Sequence, residues 1–179
     1  MCGAEVKPLP EGVQRVAALL QAKGHPHAPL MLDDAARTAQ QAADALGVAL
    51  GQIAKSIVFR HKGATAPGEP ADERAVLVIT SGDLRVDEKK VEALVGRLGR
   101  ADADFVKSRT GFAIGGVSPI GHREPPLVLI DRELFRFEDI WAAAGHPHAV
   151  FRLQPRDLPR LTEGAPVVDV TVSQPARVS

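Results

Sequence analysis

Lys55 is the first residue whose type and place suggest chemistry. Gln52 to Arg60 reads as a β-strand, and successive side chains of a strand point to opposite faces. Ile53, Lys55, Ile57 and Phe59 then share one face, and Ala54, Ser56, Val58 and Arg60 share the other. Three of the four residues on the lysine's face are large and apolar, so it is the expected core side. An ammonium there is costly unless it is paired or opens into a cavity. At a pocket wall it can orient a carbonyl or stabilise developing negative charge. The alternative is a lysine that lays its stem on apolar surface and carries its head to water.

The second candidate is the run Thr110-Gly111-Phe112-Ala113-Ile114-Gly115-Gly116-Val117-Ser118-Pro119-Ile120-Gly121. Gly115 and Gly116 permit close approach of backbone to a ligand, and Pro119 stiffens the turn after them. Exposed amides in such a loop can clamp a carbonyl or an oxyanion. A bulged strand and a tight turn account for the same residues equally well. The run does not fit the dinucleotide-binding glycine pattern, and the chain has no phosphate-binding loop of the G-x-x-x-x-G-K-[ST] type.

Two His-Pro-His segments, His25 to His27 and His146 to His148, raise the question of a metal. Nothing in the spacing brings them together, and H-E-x-x-H and C-x-x-C are both absent, so surface turns are expected and no metal site. His146 remains a candidate for lining a pocket. No G-x-S-x-G elbow accompanies any serine. The one cysteine, Cys2, falls in an expected tail and has no intramolecular partner.

These residues need a scaffold. The chain has 179 residues, 45% hydrophobic and 25% charged, which suits one soluble globular domain. Lys plus Arg and Asp plus Glu are both 22, so wholesale coating of nucleic acid by charge is excluded. With 4% aromatics and no tyrosine, a base-stacking platform is poorly supplied. No membrane segment or secretory signal is visible, and a cytoplasmic protein is expected.

Apolar stripes at i, i+3, i+4, i+7 predict helices over Pro10 to Lys23, from Asp33 or Asp34 to Gly47, and from Asp87 through Leu98. Ala103 to Arg109, Phe137 to Ala144 and Arg156 to Leu161 are further helical expectations. His25 to Leu32 is a short edge piece. Strands are expected at Gln52 to Arg60, Ala75 to Thr80, Leu127 to Ile130, His148 to Leu153 and Val168 to Val172. A hairpin loop is expected from Gly63 to Arg74. The pattern is that of a single α+β domain over residues 1–179, with a mixed, partly closed, barrel-like sheet flanked by helices and flexible tails at about 1–9 and 173–179.

Gln52-Ile53-Ala54-Lys55-Ser56-Ile57-Val58-Phe59, the buried strand from Ala75, Lys89-Lys90-Val91, Thr110-Gly111-Phe112 and Gly115-Gly116-Val117-Ser118-Pro119-Ile120-Gly121 resemble, in this order, the YbaK family. These are the editing domains associated with prolyl-tRNA synthetase, and their free-standing relatives. The resemblance covers nearly the whole chain. It implies a compact mixed sheet flanked by helices, and hydrolysis of the ester joining a wrong amino acid to the tRNA 3′ end. No metal or organic cofactor is implied. The family's strand lysine maps onto Lys55. Its glycine loop maps onto Gly115 to Gly121, with Gly115, Gly116, Val117, Ser118 and Pro119 as substrate contacts; His146, from the residues alone, is the candidate beside them for lining the pocket. Water or the terminal ribose hydroxyl supplies the nucleophile. The implied partners are the acceptor end of aminoacyl-tRNA and a synthetase. Some cysteine-removing members carry an aspartate near the strand that here is Ala149-Val150-Phe151-Arg152, and the nearest match in this chain is Val150. The alanine-specific branch has His-Pro followed by Asn-Thr, which this chain lacks. A small amino acid such as Ala, Ser, Thr or Cys is the implied class. A non-catalytic binding module and a histidine-based metal hydrolase are the competing readings.

Overall fold

The computed structural model describes residues 9–33, 36–62 and 73–172. The helices are α1 (Glu11–Ala22), α2 (Ala39–Leu46), α3 (Glu88–Val95), α4 (Ala103–Thr110) and α5 (Asp157–Leu161). The strands are β1 (Leu30–Met31), β2 (Ile53–His61), β3 (Ala75–Ser81), β4 (Leu98–Arg100), β5 (Leu127–Asp131), β6 (Ile140–Ala143), β7 (Ala149–Leu153) and β8 (Val167–Val168). They form one sheet in the order β1-β7-β6-β2-β3-β5-β8, with β4 paired to β2. β2 and β3 are antiparallel, whereas β2–β6, β3–β5 and β5–β8 are parallel. This is the expected mixed α+β domain, but the sheet does not close. Its two ends, β1 and β8, are two-residue strands, each paired to one neighbour.

Local sequence explains most elements. In α1 the stripe Val13, Val16 and Leu20 is fully buried. α2 begins with a capping box, in which Thr38 Oγ1 accepts from the Gln41 amide and Gln41 Oε1 accepts from the Thr38 amide. Thr38, not Asp33, is therefore its cap, and Asp34 lies outside the described residues. All seven residues of β3 are buried, as a central strand covered on both faces requires.

Two expected helices change. Gly96, at φ +98°, ends α3, and Leu98 enters β4 instead of prolonging the stripe. The expected helix over Phe137 to Ala144 is strand β6. Ile140 and Ala142 alternate inward with no exposure while Trp141 and Ala143 stay partly exposed. Pairing with β2 on one side and β7 on the other overrides the helical preference of the alanines. The C-terminal strand breaks into β8 and a bridge from Val86 to Thr171. The tail at 173–179, Cys2 with the rest of 1–8, and most of the expected hairpin loop (63–72) lie outside the described residues.

The sheet buries both faces unequally. On the Ala54 and Val58 side, α1, the 112–120 loop and α5 cover Leu77, Ile79, Ile130, Ala142 and Phe151. On the Lys55 side there are two smaller clusters. α2 covers Ile53 and Trp141. α3 covers Phe59, Val76 and Val78, with Val170 beside them. The larger core therefore lies opposite Lys55, which corrects the expectation drawn from the apolar neighbours of the lysine. They belong to the two flanking clusters, and Lys55 stands between them. Among the described residues, no helix is long and apolar enough to cross a membrane.

Candidate active site

Lys55 lines an open cleft of about 1140 Å³ together with Ile57, Phe59, Thr80, Gly82, Asp83, Leu84, Arg85 and the start of α3. Its cross-strand partner is Thr80, so both side chains share a face. Lys55 Nζ donates to the Leu84 carbonyl at 3.3 Å. Burial lowers the pKa of the lysine, and the negative charge of Asp83 acts in the opposite sense. Thr80 Oγ1 donates to Asp131 Oδ2 at 3.3 Å in the interior. Burial raises the pKa of Asp131, against hydrogen bonds from the Glu133 amide and Thr80. Lys55, Thr80 and Asp131 thus form a polar row across β2, β3 and β5.

The wall beyond Lys55 is a turn, Ser81-Gly82-Asp83, entered directly from β3. Arg136 Nη2 donates to Asp83 Oδ1 at 2.9 Å and to Ser81 Oγ at 3.0 Å, and Nη1 donates to Asp83 Oδ2 at 3.4 Å. Ser81 Oγ donates in turn to the Gly51 carbonyl. Burial works to raise the Asp83 pKa, but the hydrogen bonds and the charge of Arg136 outweigh it and hold the carboxyl below its ordinary range. None of Thr80, Asp83, Asp131 or Arg136 is legible as a site residue in the sequence. The one available signal is a polar turn placed immediately after a fully buried strand.

The glycine loop is built differently. Gly116 is buried, and a Cβ there would lie 2.7–2.8 Å from backbone atoms of His146 and Pro147. Val117, Ser118 and Pro119 are buried, and Val117 packs in the main core. Ser118 Oγ accepts from the Ile120 amide, and His122 Nε2–H donates to the Ser118 carbonyl at 2.6 Å. Burial lowers the His122 pKa, against that hydrogen bond. Gly115 is exposed, at φ +90°. The structure therefore brings Gly115, Gly116 and His146 together, but none of them lines the Lys55 cleft.

One feature of the sheet relates the two regions. β6 pairs β2 at Ile53 and Ala54, and β4 pairs the same strand from Phe59 to His61. On the edge away from β3, Lys55 to Val58 therefore has no strand partner among the described residues. The chain leaves β6 at Ala143, next to the end of its pairing with β2, and reaches His146 three residues later.

His25 donates to, or accepts at, no second histidine site. Its Nε2 is 2.8 Å from the Arg152 carbonyl at one end of β7, whereas His146 and His148 precede the other end. Among the described residues, no three His, Cys, Asp or Glu side chains are grouped to hold a metal ion.

Residues 33–161 match the family model of the aminoacyl-tRNA editing domain. A crystal structure of a candidate trans-editing enzyme for prolyl-tRNA synthetase superposes with a TM-score of 0.81 at 39% identity, covering 93% of this chain and 100% of that one. The uncharacterised protein YwhH of Bacillus subtilis (strain 168) is 33% identical over 134 residues, 74% of this chain and 80% of that protein. The proline–tRNA ligase of Limosilactobacillus fermentum is 33% identical over 101 residues, 55% of this chain and 17% of the ligase. With a matching fold, near-complete coverage and a cleft built around a strand lysine, this chain belongs to the aminoacyl-tRNA editing domain family.

Proposed function

We propose that the protein hydrolyses, in trans, the ester between a small, wrongly attached amino acid and the 3′ end of tRNA, with Lys55 as the catalytic residue. The observation that carries this reading is Lys55 itself. It is a partly buried ammonium that, among the described residues, has a single carbonyl partner at the wall of an open cleft. In hydrolysis, water adds to the ester carbonyl and negative charge builds on its oxygen. A preorganised cation beside that oxygen lowers the barrier because it needs no rearrangement as the charge appears. The bond to the ribose oxygen then breaks and that oxygen takes a proton. Free amino acid and deacylated tRNA leave.

The size of the cleft suits more than an amino acid, since small-ligand pockets span about 300–1,000 Å³. From Lys55 to Phe59 the strand advances about 13 Å at roughly 3.3 Å per residue, room for the terminal nucleotide behind the ester. Arg85 and Lys89 line the cleft, and among the described residues neither side chain has a carboxylate partner. In this reading they meet backbone phosphates.

Ala143 and Val150 lie opposite each other on the face of the sheet that carries Lys55. An apolar wall senses size, offers no partner to a charged side chain and discriminates only weakly against a hydroxyl, which fits a small amino acid. Gly115, Gly116 and His146, gathered where the glycine loop meets the 145–147 segment, are in this reading a second boundary of the aminoacyl site outside the cleft itself. The similarity to a region of a proline–tRNA ligase supports action alongside that kind of synthetase.

The test is a panel of tRNAs charged with Ala, Ser, Thr, Cys and a bulky amino acid. Loss of the small esters and survival of the bulky one is expected. Binding of all without hydrolysis would make this a recognition module. In the same panel, His146→Ala should change the ratios among the small esters, not scale all of them together.

A further inference from the structure

The carboxylate nearest in effect to Lys55 is Asp83, yet the two make no ion pair. The lysine's bond goes to the Leu84 carbonyl, and both Asp83 oxygens accept from Arg136. Arg136 is fixed in turn. Its Nε donates to the Glu133 carbonyl at 2.7 Å, its Nη2 reaches Ser81 Oγ, and its guanidinium lies 5.0 Å from the Phe137 ring centre. A planar fork held on three sides restricts what it holds far more than a single charge does. Gly51 completes the arrangement. A Cβ there would meet Phe137 at 2.6 Å and Asp83 Oδ2 at 3.0 Å, so the absence of a side chain leaves room for the carboxylate beside the guanidinium.

We propose that Arg136 is a positioning residue that withholds the Asp83 carboxylate from Lys55, so that the ammonium stays free to meet a ligand in the cleft. The proposal rests on Lys55 being the working cation. Without the Arg136 fork, Asp83 is a free carboxylate on the turn beside a partly buried ammonium. Collapse into an ion pair would satisfy both groups, and the lysine would be occupied before any ester arrived. Asp83 is therefore useful only at a fixed distance. Held there, its charge offsets part of the burial that disfavours the ammonium.

The charged groups around Lys55 come from several elements. The turn after β3 supplies Asp83 and Arg85. The start of α3 supplies Asp87, Glu88 and Lys89. Arg136 reaches in from the turn after β5, and Asp131 stands behind Thr80. Of these, Asp83 opposes the effect of burial on Lys55, and Asp87 is engaged in capping α3.

A double-mutant cycle on the full chain tests this, read by the pH titration of the Lys55 Nζ and Cε resonances in 13C,15N-lysine-labelled protein. The readout does not need turnover, so it stands or falls separately from the proposed deacylation. Asp83→Asn should lower the Lys55 pKa, because an attractive charge is gone. Arg136→Gln should raise it by about one unit or more, the effect of a carboxylate arriving within ion-pair distance. In the Asp83→Asn background, Arg136→Gln should have almost no effect. Where hydrolysis is measurable, Arg136→Gln should lose activity, and adding Asp83→Asn should restore part of it. A merely structural arginine would not be rescued in this way. If Arg136→Gln fails to fold, Arg136→Lys keeps the charge, loses the fork and should show the same coupling to Asp83 in smaller measure. An unchanged Lys55 pKa in the arginine variants overturns the proposal. So does an equal shift with and without Asp83, which would mean that Arg136 acts only by its own charge.

Discussion

The Lys55 cleft and the glycine loop are both singled out by sequence, and the fold treats them in opposite ways. At Lys55 a charge is held half-desolvated beside open space, with one hydrogen-bond partner and a counter-charge kept at a distance. At Gly116 there is no space, because backbone of the 145–147 segment sits where a side chain would be. Gly12 and Gly145 repeat that arrangement between α1 and the same segment, and a Cβ on Gly12 would run into the Gly145 carbonyl oxygen. A glycine run can mark close packing as readily as ligand approach. A lysine set between apolar neighbours in a central strand has fewer structural explanations.

The largest expected effect belongs to the cleft. Lys55→Ala should reduce single-turnover deacylation by roughly 10²–10³ with no loss in melting temperature, since the replaced ammonium is a burial cost in the fold. Near-normal activity in a folded variant would move the chemistry elsewhere. Gly116→Val should invert the balance. Overpacking against backbone that cannot step aside costs about 1–3 kcal/mol, so thermal melting should fall clearly. If stability is retained and only the rate drops, the loop is a ligand site before it is a packing site, and the contrast between the two regions fails.

A smaller effect is expected at the rim of the cleft. Replacing both Arg85 and Lys89 with Ala should weaken tRNA binding and reduce the slope of log affinity against log salt by about 1.4, for two single-strand phosphate contacts. An unchanged slope would remove these residues from the interface.

The smallest effect is behind Thr80. The raised pKa of Asp131 means that the folded protein holds a proton at pH values where the unfolded chain has lost it. Stability due to this group therefore falls as pH rises through that window. Asp131→Asn keeps one oxygen to accept from the Glu133 amide, and its NH2 group can donate to Thr80 Oγ1, which then accepts where it now donates. The variant should match or slightly exceed the wild type at neutral pH, by about 1 kcal/mol or less. The wild type should gain on it as pH falls toward the ordinary carboxylate range. Melting curves of both proteins across that range check the sign.

Much of the scaffold is readable from local pattern. The stripe of α1, the glycine stop of α2, the Asp87 cap of α3 and the continuous apolar run of β3 all report themselves within a few residues. β6 does not, because Ile140 to Ala143 takes its conformation from β2 and β7, which are distant in sequence. The alternation of β2 places Lys55 correctly relative to Ile57 and Phe59, but alternation cannot say which face carries the larger core. That depends on where α1 and the 112–120 loop dock. Arg136 illustrates the same limit, since it is 53 residues from the aspartate it holds and nothing in its own neighbourhood marks it.

The most direct test of the cleft as the substrate site is chemical-shift mapping with a non-hydrolysable alanyl-adenosine whose ester is replaced by an amide. The account predicts saturable shifts centred on Lys55, Thr80 and Leu84 that are abolished in Lys55→Ala. Saturable binding whose shifts leave those three residues untouched, and that persists in Lys55→Ala, would contradict it.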